Sequence, residues 1–67
     1  MINRDQAEII VEDLNFQLAC HGNYPTDNVV DMMRKLGEFV WDLDDDDWLT
    51  EAHFLFCQDF DLMGELY

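Results

Sequence analysis

From Leu36 to Tyr67 the chain carries ten acidic side chains and no base. A fold made from such a segment must keep every one of those carboxylates in water while it buries the residues between them. Over all 67 residues there are 16 acids against Arg4, Arg34 and Lys35, a formal net charge of −13. Charge of one sign at that density opposes collapse, so the apolar content decides whether the chain folds at all. Leu, Ile, Val and Phe together number 20, about 30% of the residues. Acidic chains that stay disordered fall below roughly 20%, so a folded core is expected.

The same charge excludes several functions. A basic face for nucleic acid is absent, and anionic membranes repel the chain. No serine is present, and the three glycines stand alone at 22, 37 and 64, which removes serine-nucleophile chemistry and glycine-rich phosphate loops. The longest apolar run, 54–57, is four residues, against the roughly 20 of a membrane span. The opening residues place acids where a secretory signal needs an apolar stretch, and two cysteines do not make a disulfide scaffold. The expectation is a cytoplasmic protein with free thiols and no catalytic machinery.

Helical periodicity organises the chain. Asn3 and Gln6 have the spacing of a capping box, with Ile2 and Ala7 as a hydrophobic staple, and Ala7, Ile10, Val11, Leu14 and Leu18 form one stripe. Gly22 and Pro25 stop this first helix, predicted over about 4–20. Thr26 or Asp27 caps a second over about 27–43, whose seam is Val29, Met33, Leu36, Val40 and Leu43. Arg4–Glu8, Asp31–Lys35 and Arg34–Glu38 each have ion-pair spacing. Asp44 to Asp47 form a connection, since aspartate favours turns and caps. Asp46 or Asp47 then caps a third helix over about 48–63, with Leu49, Ala52, Phe56, Phe60 and Met63 inward and Gly64 at its end. The fold class is all-α, a single small antiparallel three-helix bundle. Ten of the sixteen residues from Trp48 to Met63 are apolar, where one buried stripe needs about seven. That surplus predicts a self-association patch, a central helix or a partner pocket, and so short a chain favours a homodimer.

Two metal constellations fail on spacing. Counted as a calcium loop from Asp42, the sixth position is Asp47 and the twelfth His53, where glycine and glutamate are needed. Cys20, His21, His53 and Cys57 have no zinc-finger spacing. Cys57 reads as a small core residue, Cys20 as core or interface, and both histidines as surface or capping groups. No metal and no cofactor is expected.

The distribution of charge carries the functional reading. A bundle built on helices of about 18 residues is about 27 Å long. Thirteen net charges on that length are one per roughly 2 Å, near the one per 1.7 Å of duplex DNA. In these characters the whole chain resembles the small acidic phage-encoded inhibitors that imitate DNA, the anti-restriction and anti-CRISPR class: short, helical, rich in Asp and Glu, poor in bases, with aromatics among the acids. The resemblance is one of character and matches no motif. It implies a phage or mobile-element origin, action in the host cytoplasm, and a basic nucleic-acid-binding protein of the host or its defences as partner. Glu38, Asp42, Asp44, Asp45, Asp46, Asp47, Glu51, Asp59 and Asp61 are the candidate phosphate mimics, extended by Asp5, Glu8, Glu12 and Asp13. Trp41 and Trp48, flanking the aspartate run, are the candidate aromatic anchors. The alternative is an acidic adaptor, antitoxin or immunity-like module that binds through exposed apolar and aromatic helix surface.

Overall fold

A computed structural model describes residues 2–66, with Leu66 described by its backbone alone. The chain enters its first helix, α1 (Arg4–His21), through the capping box. The Asn3 side chain accepts from the Gln6 N–H at 2.9 Å, and the Gln6 side chain accepts from the Asn3 N–H at 2.9 Å. Two of the orphan donors of a helix start are thereby satisfied. Ile2, just before the cap, packs against the core. Gly22, at φ 72°, ends the helix and donates to the Leu18 carbonyl.

The second helix, α2 (Asp27–Val40), starts on Thr26, whose side chain accepts from the Val29 N–H. The predicted extension to residue 43 does not form. After Val40 the chain tightens into a turn in which the Leu43 N–H donates to the Val40 carbonyl at 3.0 Å. The aspartates that follow favour turn over helix. Leu43 still leans on the core from outside the helix.

The third helix, α3 (Trp48–Asp59), starts on Asp47 and stops four residues short of the predicted end. Phe60 is its cap, and Asp61 takes the left-handed conformation at φ 57°. The Leu62 N–H reaches back to the Cys57 carbonyl at 2.7 Å, and the Asp61 N–H to the Gln58 carbonyl at 3.2 Å. This is a Schellman motif with aspartate in the position glycine usually holds. It turns the chain so that Leu62 enters the core while Met63, the residue predicted to be inward, stays exposed. A short α4 (Met63–Leu66) follows and packs against α2 and α3.

All described elements are helical, and the three main helices pack on one another pairwise. Their shared core is Leu14 from α1, Val29, Met33 and Leu36 from α2, and Leu49 and Cys57 from α3, closed by Phe60 at the α3 cap. No described helix is long and apolar enough to cross a membrane.

Among the described residues the one buried polar side chain is His53, 3% exposed. It lies against Gly37 of α2, where an added Cβ would stand 3.0 Å from the ring Nε2. Gly37 is therefore the notch that admits an imidazole between α2 and α3. The expectation that both histidines lie at the surface fails for His53. A packing partner sixteen residues away carries no signature in the local periodicity of α3.

Candidate functional site

The acidic connection between α2 and α3 is fixed by its own backbone. The Asp44 carbonyl accepts from the Asp47 N–H at 3.0 Å and from the Thr50 hydroxyl at 3.1 Å. Asp47 then works as a cap, its carboxylate accepting from the Leu49 N–H at 3.0 Å. The same carboxylate receives both terminal nitrogens of Arg4, at 3.2 and 3.3 Å, across 43 residues of sequence. Arg4 also pairs with Glu8 at 3.5 Å. The Arg4 guanidinium, and next the Leu49 N–H, hold the Asp47 carboxyl below the usual carboxylate range, and hydrogen bonding to Asp47 raises Arg4 in turn.

These bonds set the start of α1 beside the start of α3. The end of α2 joins them through the 41–47 connection. Asp5, Glu8, Glu38, Asp42, Asp44, Asp45, Asp46, Asp47 and Glu51 therefore gather at one end of the molecule. None of the sixteen acids is buried: Glu8, Asp13 and Asp47 are half-buried and the other thirteen exposed. Of the candidate phosphate mimics, the structure brings together Glu38, Asp42, Asp44 to Asp47 and Glu51. Asp59 is the last residue of α3 and Asp61 lies just past it, at the far end of a helix of 12 residues and so about 18 Å long. Asp47 belongs to the cluster by position, yet its carboxylate is already engaged by Arg4.

Two concave surfaces flank this end. An open groove of about 1020 Å³ is lined by Arg34, Glu38, Trp41, Asp42, Asp45 and Glu65, with Gly37 and His53 at its floor. Trp41 stands 86% exposed on its margin. A smaller cleft of about 480 Å³ is lined by Trp48 and by Asp5, Glu8, Ile9 and Glu12 of α1. Each tryptophan thus sits among carboxylates, but on different faces. Arg34 and Glu65 in the larger groove are residues that sequence reasoning did not associate with the acidic run. Glu65 arrives only because the Asp61 turn folds α4 back, and no local signal announces that.

Cationic capacity is scarce. Among the described residues Arg4 is neutralised twice and Lys35 pairs with Asp31 at 3.1 Å, while Arg34 forms no ion pair. The expected Arg34–Glu38 pair is not made; an exposed pair of this kind is worth only about 0.3–0.5 kcal/mol, too little to hold two long side chains in place.

The Cys and His residues divide between core and surface. His53 Nε2 lies 3.9 Å from Cys57 Sγ in the core, whereas Cys20 and His21 are exposed at the end of α1. Burial lowers the His53 pKa and raises that of Cys57; hydrogen bonding to the Met33 backbone partly opposes the His53 shift. Among the described residues no three His, Cys, Asp or Glu side chains are grouped to hold a metal ion. What the acidic end offers chemically is a set of exposed acceptors, each able to take a charge-assisted hydrogen bond from a guanidinium or ammonium group. Compared with known family models, with curated proteins and with solved structures, the chain matches none.

Proposed function

We propose that this protein is a non-catalytic inhibitor that occupies the basic nucleic-acid channel of another protein, its carboxylates standing where phosphates would. The observation that carries the reading is the acidic end, where nine acids, joined by Glu65 in the groove, meet two arginines, Arg4 and Arg34, and none of those carboxylates is buried. Thirteen net charges over a longest dimension of 29 Å amount to one per about 2.2 Å, against one per 1.7 Å for duplex DNA. Within this end Asp42, Asp44, Asp45 and Asp46 are the freest phosphate mimics, with Glu38 and Glu51 beside them. Trp41 supplies contact area among the charges, as aromatic anchors do at interfaces. Asp47 contributes by holding the turn in place.

We read the bundle as antiparallel: the connections at 22–26 and 41–47 each reverse the chain, and Arg4 meets Asp47 where α1 and α3 begin. The setting implied by the class the chain resembles is a bacterial cytoplasm, with a host or defence protein as target.

The test is affinity capture from bacterial lysate on the immobilised protein at 50 mM and 300 mM salt, with duplex DNA as competitor. The expected result is a nucleic-acid-binding protein that is retained at low salt, lost at high salt and displaced by DNA. Replacing Asp42, Asp44, Asp45 and Asp46 by asparagine should weaken its binding by at least about tenfold, since each hydrogen bond to a charged group is worth about 1.5–3 kcal/mol. Capture that ignores salt, DNA and the four substitutions would falsify the proposal.

A further inference from the structure

Large apolar side chains left exposed are not spread evenly over the molecule. Of the seven among the described residues, Ile9 and Phe16 lie on α1 and Trp48 and Leu55 on α3, exposed by 62, 62, 50 and 47%. Each pair is seven residues apart, two helical turns or about 10.5 Å, so each stays on one face of its helix. Ile9 and Trp48 line the same cleft. The Arg4–Asp47 bonds hold the start of α1 beside the start of α3, and Phe16 and Leu55 each lie two turns further along their helix. Ile9 and Trp48 meet at that cleft and Phe16 and Leu55 extend the same two helix faces, giving an apolar band broken by carboxylates.

Carboxylates interleave with this band at the spacing of a helical turn. Glu12 falls between Ile9 and Phe16, and Glu51 and Asp59 lie four residues to either side of Leu55. The sole base on either helix is Arg4, already engaged by Glu8 and Asp47. An apolar stripe flanked by unneutralised acids is complementary to a helix with aliphatic residues on one face and Lys or Arg beside them. Charge selects among the occupants. A second copy would press another 13 net negative charges against the same acids, and an anionic membrane would be repelled for the same reason.

We propose that the α1–α3 face is a docking surface for a cationic amphipathic helix of a partner protein. The site adjoins the acidic end, sharing Glu51 and the Trp48 cleft with it, and makes no use of Asp42, Asp44, Asp45 or Asp46.

The probe is an 18-residue peptide of leucine and lysine with leucines at alternating three- and four-residue spacing. A second peptide has the same composition with the leucines distributed around the helix. In a Trp41→Phe protein, Trp48 is the only tryptophan and its emission reports the cleft. The patterned peptide should shift Trp48 emission to the blue and bind at least about tenfold tighter than the shuffled one at 0.15 M salt, where charges are screened beyond about 8 Å. Ile9→Ser with Leu55→Ser should remove that preference while the melting temperature and helical signal stay those of the parent. Replacing Asp42, Asp44, Asp45 and Asp46 by asparagine should weaken the patterned peptide less than about threefold, because none of the four lines the Trp48 cleft. Equal binding of the two peptides overturns the proposal, as does an Ile9→Ser/Leu55→Ser protein that still discriminates. Binding lost through the four aspartate substitutions alone places the peptide at the acidic end and overturns it too. A parent protein whose mass doubles in solution, and whose doubling Leu55→Ser abolishes, assigns the band to a second copy instead.

Discussion

The turn that ends α3 rests on Asp61 at φ 57°, a conformation that costs an L-residue with a Cβ roughly 1–2 kcal/mol, less for aspartate than for most. Glycine adopts it freely but loses about 0.5–1 kcal/mol more backbone entropy on folding. Asp61→Gly should therefore stabilise the protein by about 0.5 kcal/mol, while Asp61→Ala, with a Cβ and no side chain to bond locally, should destabilise it by about 0.5–1 kcal/mol. At about 4–8 °C per kcal/mol for a domain of this size, glycine raises the melting temperature by about 2–4 °C and alanine lowers it by about 2–8 °C. The bonds at stake are those from Leu62 and Asp61 to the Cys57 and Gln58 carbonyls, which also hold Leu62 at 3% exposure in the core. Each substitution removes one negative charge, so Asp61→Asn, which keeps the tolerance for this conformation, measures the charge effect alone. The assay is thermal unfolding followed by circular dichroism at 222 nm for the three variants and the parent in one buffer. If glycine and alanine moved the melting temperature together and matched asparagine, the strain argument would be refuted, leaving charge as the cause.

Burial holds the His53 pKa below its ordinary 6.5, so the unfolded chain takes up the proton first. Stability is then complete above pH 6.5 and falls as the pH drops below it, by at most about 1.4 kcal/mol per unit; unfolding in urea between pH 7.5 and 5.5 should show that slope in the parent and not in His53→Gln. Gly37→Ala ordinarily gains about 1 kcal/mol in a helix interior. Here the added Cβ meets His53 Nε2 at 3.0 Å, so the same urea titration should show a loss, and a gain would contradict the notch. For Asp47, alanine removes both the cap and the Arg4 pair whereas asparagine keeps a capping oxygen, so alanine should lower the melting temperature further. Because Asp47 is held below its ordinary 3.8, its contribution is present above that pH and disappears as the pH falls through the lower folded value; equal melting of the two variants would assign the whole effect to Arg4.

Helix beginnings were legible because caps are local. Asn3 with Gln6, Thr26 and Asp47 each act within three residues of themselves, and each was readable as a start. Two of the helix ends were not. Nothing in the periodicity distinguishes Met63 from Leu62 as the inward residue. The choice is made by Asp61 accepting a conformation usually left to glycine, and Gly64, the apparent stop, lies beyond it. Charge placement was legible only in outline. Residue type announces that the acids stay in water, whereas Asp47 being engaged by a residue 43 positions away depends on how α1 lies against α3. His53 joined the core for a reason equally remote, the missing side chain of Gly37. The two tryptophans could be singled out from their acidic neighbours. That they look out from different faces follows from the turn between them.

The double use of the Asp44 carbonyl, by the Asp47 N–H and the Thr50 hydroxyl, has a kinetic consequence. A loop whose backbone is already held loses little conformational freedom on binding, so under the proposed function its carboxylates would be a preorganised template. Loosening that template should show mainly in faster dissociation, with the charge-steered encounter rate nearly unaltered. Thr50→Val, which deletes one of the two bonds and no charge, is the substitution that would separate the rigidity of the loop from its electrostatics.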